Sequence, residues 1–204
     1  MAFDMEQAKR WMSIANDKIQ QQKQYLTELD QAIGDGDHGL NMARGFQEVV
    51  KKITSTNYED LGSLFKDVSM TLIAKVGGAS GPLYGTAFLK MSLALAGKKE
   101  ADDKELIAAL EAALDGIKAR GKANVSEKTM VDVWEPVMEF LREKGSLQAK
   151  EAALFAKEKM EHTKELEAKK GRAAYLGKRS IGHIDPGSAS SYLLFAALAE
   201  VLEG

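Results

Sequence analysis

Apolar residues recur three to four positions apart along almost the whole of this 204-residue chain, the spacing that gathers them on one face of an α-helix. Ala8, Trp11, Met12, Ala15 and Ile19 mark a first helix from residue 4 to about 21, and Tyr25, Leu26, Leu29 and Ile33 a short second one. Helical patterning returns over roughly 39–53, 58–75, 83–97, 102–119, from near 129, over 147–168 and from 187 onward. There are only three prolines, β-branched clusters are sparse, and no stretch reads convincingly as a strand or as an internal repeat. The expected fold class is all-α. A chain of this length suits a single large domain over 1–204 with a substantial core.

Charge and composition exclude several functions. Twenty-eight basic residues balance 30 acidic ones, so there is no electrostatic footprint for nucleic acid. With no cysteine, disulfides and thiolate chemistry are out, which fits the cytoplasm. No apolar run approaches the ~18 residues of a membrane span, and the opening MAFDMEQAKR lacks a signal-peptide pattern.

The chemistry lies where the helical period breaks. Leu29 to Asn41 reads LDQAIGDGDHGLN and sets Asp30, Asp35 and Asp37 within eight residues. Carboxylates so close repel one another, and a cation such as Mg²⁺ relieves that repulsion. The interleaved glycines let the turn curl its side chains toward one point. The next helix begins beside them, where free backbone N–H groups can bind phosphate oxygens. His38 and Asn41 could add donors, although a plain capping role is open for His38, and the whole stretch could be only an Asp/Gly capping turn.

Other assignments fail here. The match of residues 34–39 to GxGxxG lacks a preceding strand. Counted as an EF-hand loop from Asp35, position 5 is Gly39 and position 12 is Phe46, neither a side-chain oxygen ligand. Residues 116–123 resemble a P-loop, but Ala123 has no hydroxyl for Mg²⁺ and a helix precedes the segment; Gly121 reads as a helix cap.

Gly77 to Pro82 (GGASGP) is a second break. Small residues before a helix leave N–H groups open to an anion, against the plain alternative of a tight helix–helix turn. Residues 171–191 are a third, carrying Arg172, Lys178, Arg179, His183 and Asp185 without clear periodicity. Loops of that length in a compact domain tend to be functional or disordered, and Tyr175, Leu176, Ile181 and Ile184 favour an ordered lid with cationic groups toward phosphate. No Ser, Cys or Lys nucleophile with a positioned base is evident, and phosphoryl transfer needs none.

IGDGDHGLNM, GGASGPLYGT, GKA with KTMVDVW, and GRAAYLGKRSIGHIDPGS resemble, in order and over nearly the whole chain, the nucleotide-binding subunits of bacterial dihydroxyacetone kinase, the DhaL family. Residues 97–112 and 144–170 match in character only. Ser126-Glu127 stands where Gly-Asp is commoner.

The resemblance implies an antiparallel eight-helix barrel with ADP at one end. It implies two Mg²⁺ ions on Asp30, Asp35 and Asp37. His38, Gly39, Leu40, Asn41, Ala79 and Ser80 would line the phosphates and ribose, with Gly121, Met130, Arg172, Asp185, Pro186 and Gly187 completing the nucleotide pocket. ADP would be held as a coenzyme, recharged to ATP by a phosphohistidine-carrying phosphotransferase-system subunit. The phosphoryl group would then pass to dihydroxyacetone on a second subunit. An ATP-exchanging kinase subunit and a nucleotide-state-dependent regulatory module are the competing readings, and a homodimer stays open.

Overall fold

The periodic apolar positions fold as helices, and short polar side chains fix the starts of several of them. The computed structural model describes residues 2–203; Met1 and Gly204, which the 1–204 domain expectation includes, lie outside the described residues. Those residues contain nine α-helices: α1 (Met5–Gln21), α2 (Lys23–Ile33), α3 (His38–Thr54), α4 (Leu61–Lys75), α5 (Ser80–Ala94), α6 (Asp103–Gly121), α7 (Val131–Lys144), α8 (Ala149–His162) and α9 (Pro186–Glu203). Asp4 and Asp102 start α1 and α6 with capping boxes, exchanging hydrogen bonds with Gln7 and Glu105. Asp60 caps α4 through Ser63 N. Such caps contribute about 1 kcal/mol each.

Eight of these helices close a ring. α1 lies against α3, α3 against α4, and each later helix against the next until α9 returns to α1, while α2 sits outside the ring on α3 and α9. Opposite ends meet at α1 and α3, where Gln20 donates to the Ala43 carbonyl and Lys9 to that of Thr56. The same holds for α6 and α7, through the Lys118–Glu135 and Arg142–Glu111 pairs. Short connections between packed neighbours give this alternation. α9 is tied to α1 by Trp11 Nε1 donating to the Leu194 carbonyl at 2.9 Å.

The barrel interior is one continuous apolar cluster. Phe3, Trp11, Phe65 and Phe88 pack with ring centroids 5.8–6.5 Å apart, and Trp134 meets Phe195 edge-on at 4.8 Å. No helix among the described residues is long and apolar enough to cross a membrane.

Three details depart from the sequence expectation. A two-residue ladder pairs β1 (Phe3–Asp4) with β2 (Glu100–Ala101), too short to leave an alternating pattern. The left-handed residue ending α6 is Lys122 (φ 49°), one past Gly121. The eighth helix stops at His162 rather than near 168, where the chain tightens into a 3₁₀ turn at Thr163–Glu165.

Candidate functional site

The α2–α3 loop is organised by Asp30. Its Oδ2 accepts from the backbone N–H groups of Asp37 (2.9 Å) and His38 (3.0 Å), so the last turn of one helix caps the first turn of the next. A Cβ at Gly34 would overlap the Asp30 carboxylate, and Gly36 takes φ +76°; only glycine fits both positions without strain. One carboxylate oxygen each from Asp30, Asp35 and Asp37 can lie within 4.8 Å of one another. Burial pushes the Asp30 carboxyl above its usual range; the two amides oppose this, and the neighbouring carboxylates add to it. Three clustered oxygens on a glycine turn fit a hard divalent cation such as Mg²⁺.

The Gly77–Gly78 turn comes close to Asp37 and leads into α5 at Ser80. Ser80 Oγ is 3.1 Å from His38 Nδ1, and His38 Nε2 is 3.0 Å from Ser190 Oγ on α9. The network runs on through the Tyr84 hydroxyl, 2.7 Å from Ser190 and 2.9 Å from Ser191, to Trp134 Nε1, which donates to Ser191 Oγ at 3.0 Å. Burial lowers the His38 pKa to about 4, so the imidazole is neutral near pH 7 and fixed between two hydroxyls. Side chains from α3, α5, α7 and α9 are thereby locked behind the acidic loop.

These elements border a cavity of about 590 Å³. Asp30, Asp35, Asp37, His38, Ala79, Ser80, Gly121, Met130, Arg172, Asp185, Pro186 and Gly187 all line it, together with the apolar Ile33, Leu83, Ile117 and Val131. A wall part carboxylate and N–H, part aliphatic, suits a ligand with a charged portion and a flat apolar one.

Gly39, Leu40 and Asn41 lie outside that lining. A Cβ at Gly39 would strike the Lys23 carbonyl and Thr27, so this glycine lets α3 approach α2. Leu40 is 55% exposed. The Asn41 amide is buried and accepts from Arg44 at 2.7 Å.

The segment after α8 forms a second wall. Arg172–Ser180 is a 3₁₀ run broken at Gly177, and Arg172 Nε pairs with Asp35 Oδ2 at 3.0 Å. In this structure the arginine expected to face phosphate thus rests on the acidic cluster. Tyr175 is 89% exposed and Ile181 is also exposed, whereas Ile184 packs on the core, so only the base of the segment is anchored by apolar burial. Asp185 caps α9, accepting from Ser188 N, and burial pushes its carboxyl up to about 7.

Sequence reasoning missed the Tyr84–Ser190–Ser191–Trp134 network and Lys128, a buried cavity-lining lysine. Three serines within one turn of the apolar α9 were the available signal for the first. Nothing in the local sequence marks Lys128 as buried.

Against known proteins, the DAK2 domain model matches residues 32–200. The chain is 51% identical over 201 residues to "PEP-dependent dihydroxyacetone kinase 1, ADP-binding subunit DhaL" of Listeria innocua, covering 98% of each. It is 51% identical over 193 residues to the PTS-dependent ADP-binding subunit DhaL of Lactococcus lactis, covering 94% of this chain and 95% of that one. It is 40% identical over 205 residues to the PEP-dependent DhaL subunit of Escherichia coli, again covering 98% of each. The crystal structure of the C. freundii dihydroxyacetone kinase in complex with AMP-PNP and Mg²⁺ overlays with a TM-score of 0.78 at 23% identity, sharing the fold. That overlay covers 98% of this chain but only 34% of the larger one.

Proposed function

The chain belongs to the DAK2 domain family, and on that premise we propose that it is the ADP-binding subunit of a PEP-dependent dihydroxyacetone kinase, one nucleotide-binding domain acting in the cytoplasm. The observation that carries this reading is the convergence of Asp30, Asp35 and Asp37 with the Gly77–Ser80 turn on one cavity. The three carboxylates would hold Mg²⁺, two ions being the expected number, and bound metal supplies the positive charge that draws phosphate oxygens and spreads the charge of a transferring phosphoryl group.

This chain's own residues bind and orient. Backbone N–H groups at the start of α5 donate to phosphate, and Ser80 adds a hydroxyl held in place by His38. Neutral His38 works as a positioned dipole rather than a charge or a proton carrier near pH 7. Ile33, Leu83, Ile117, Met130 and Val131 offer apolar surface to the base. Transfer by alignment and charge between bound partners asks no nucleophile of this chain. Those partners would be a phosphohistidine-carrying phosphotransferase-system subunit that recharges ADP and a subunit presenting dihydroxyacetone.

Acid extraction of freshly purified protein followed by nucleotide chromatography tests the reading. About one ADP per chain is expected, retained through gel filtration with Mg²⁺. Protein that neither carries nor binds ADP with Mg²⁺ would overturn it.

A further inference from the structure

Lys128 is fully buried at 2% exposure, and its backbone is left-handed at φ +61°. Its Nζ donates to three main-chain carbonyls: Thr163 at 2.6 Å, Leu166 at 3.1 Å, and His183. An ammonium has three protons and no acceptor capacity, so each one is engaged. Two of the carbonyls lie just past α8 and the third just before α9, the two roots of the 163–185 segment. Other contacts fix the same roots: Asp185 N donates to Thr163 Oγ1, Gly182 N to the Lys164 carbonyl, and Lys169 N to the Glu127 carbonyl. The next residue, Thr129, accepts from Ser188 Oγ, and Met130 lines the cavity.

We propose that Lys128 is a positioning residue that clamps both roots of the 163–185 segment, and so sets how long a nucleotide stays in the cavity. A cavity-lining lysine invites the other reading, a direct cation–phosphate contact, but the ammonium is already saturated by carbonyls. Lysine suits this place because its donors diverge from one point, whereas an arginine fork is planar and longer. The Thr163 carbonyl accepts from Nζ as well as from Leu166 N, so the clamp sits where α8 gives way to the 3₁₀ turn. The effect on nucleotide release rests on the nucleotide reading above; the effect on the segment itself does not.

The test uses the whole chain with Lys128→Met and Lys128→Arg. Amide hydrogen exchange over 163–185 is expected to speed at least tenfold in both variants without nucleotide, with α4 to α6 unchanged. Release of fluorescent ADP in Mg²⁺ is expected to speed at least tenfold in both. Arginine restoring wild-type exchange and release would overturn the proposal, because charge alone would then suffice. Faster release with unaltered segment exchange would overturn it too, marking a phosphate contact. In unmodified protein labelled with ¹⁵N-lysine, the Lys128 ammonium should give a slowly exchanging signal before Mg·ADP is added and keep its shift afterwards. A signal that appears only with nucleotide would sink the clamp even if neither variant folds. Protein that binds no ADP would remove the nucleotide reading and leave the exchange result to decide the clamp.

Discussion

The two walls of the cavity are held by opposite means. The acidic wall is local: Asp30 caps the helix that begins eight residues later, glycine fits where nothing larger would, and a buried chain of side chains from four helices backs it. The wall formed by 163–185 is held by main-chain groups reaching distant parts of the sequence, with an exposed crest at Tyr175. The first wall concentrates negative charge; the second sets one arginine against it. A rigid wall of like charges needs a counter-ion, and a wall tied most firmly at its roots can move its crest to deliver or release one. Arg172, 71% exposed and resting on Asp35, is where the two meet.

The acidic wall should give the largest effect. With Mg·ADP bound at about a thousandfold over its Kd, binding contributes about 4 kcal/mol to stability, equivalent to roughly 8–16 °C for a chain of this size. EDTA should therefore lower Tm by on the order of ten degrees. Asp35→Ala should lose Mg·ADP and keep the fold, since Asp35 caps nothing. A melting curve indifferent to EDTA would leave the aspartates without a stabilising metal and erase the contrast between the walls.

The next effect lies at the root of the other wall. The Asp185 carboxyl is pushed by burial from an ordinary 3.8 up to about 7, so the folded state holds its proton more tightly than the unfolded chain. That favours folding at low pH and is lost as pH rises from about 4 through 7, a swing of a few kcal/mol. Asp185→Asn keeps the cap acceptor for Ser188 and cannot ionise. Relative to wild type, the variant should gain stability as pH climbs from 4 to 8, read from urea midpoints. Parallel pH profiles would mean that Asp185 ionises in the fold as freely as outside it.

What the sequence disclosed follows the same division. The helices, their apolar faces and the acidic loop were legible because each is encoded by residues a few positions apart, Asp30 to Asp37 above all. The closed ring came from resemblance, and no local pattern could have supplied it. Tyr84, Ser190 and Lys128 were opaque because their partners stand up to 152 residues away. A buried serine or lysine looks like any other in sequence. Leu40 and Asn41 carry a motif's position while their side chains face solvent and Arg44.

Arg172→Ala probes the contact between the walls. An arginine fork can hold two phosphate oxygens where lysine cannot, and losing one charge-assisted contact costs about 1.5–3 kcal/mol. ADP release should speed by roughly ten- to a hundredfold, turning a retained nucleotide into an exchanging one, with Tm of the nucleotide-free protein nearly unchanged because the Asp35 pair is solvent-exposed. An unchanged release rate would leave the arginine serving only the acidic cluster.

The smallest effect tests whether the anchoring turn is strained for a purpose. Ser126 takes φ +70°, and two residues later Lys128 takes φ +61°. A left-handed conformation costs a side-chain-bearing residue about 1–2 kcal/mol; glycine avoids that cost but gives back part through the freedom of the unfolded chain. The Ser126 side chain is exposed, and its backbone N–H, which donates to Asp132 Oδ1, survives the exchange. Ser126→Gly should therefore stabilise by about 1 kcal/mol, raising Tm by roughly 2–4 °C, with ADP release unaltered because Lys128 keeps its carbonyls. Greater stability with faster release would mean that the stiffness of Ser126 helps hold the clamp, and that strain in this turn belongs to the movable wall.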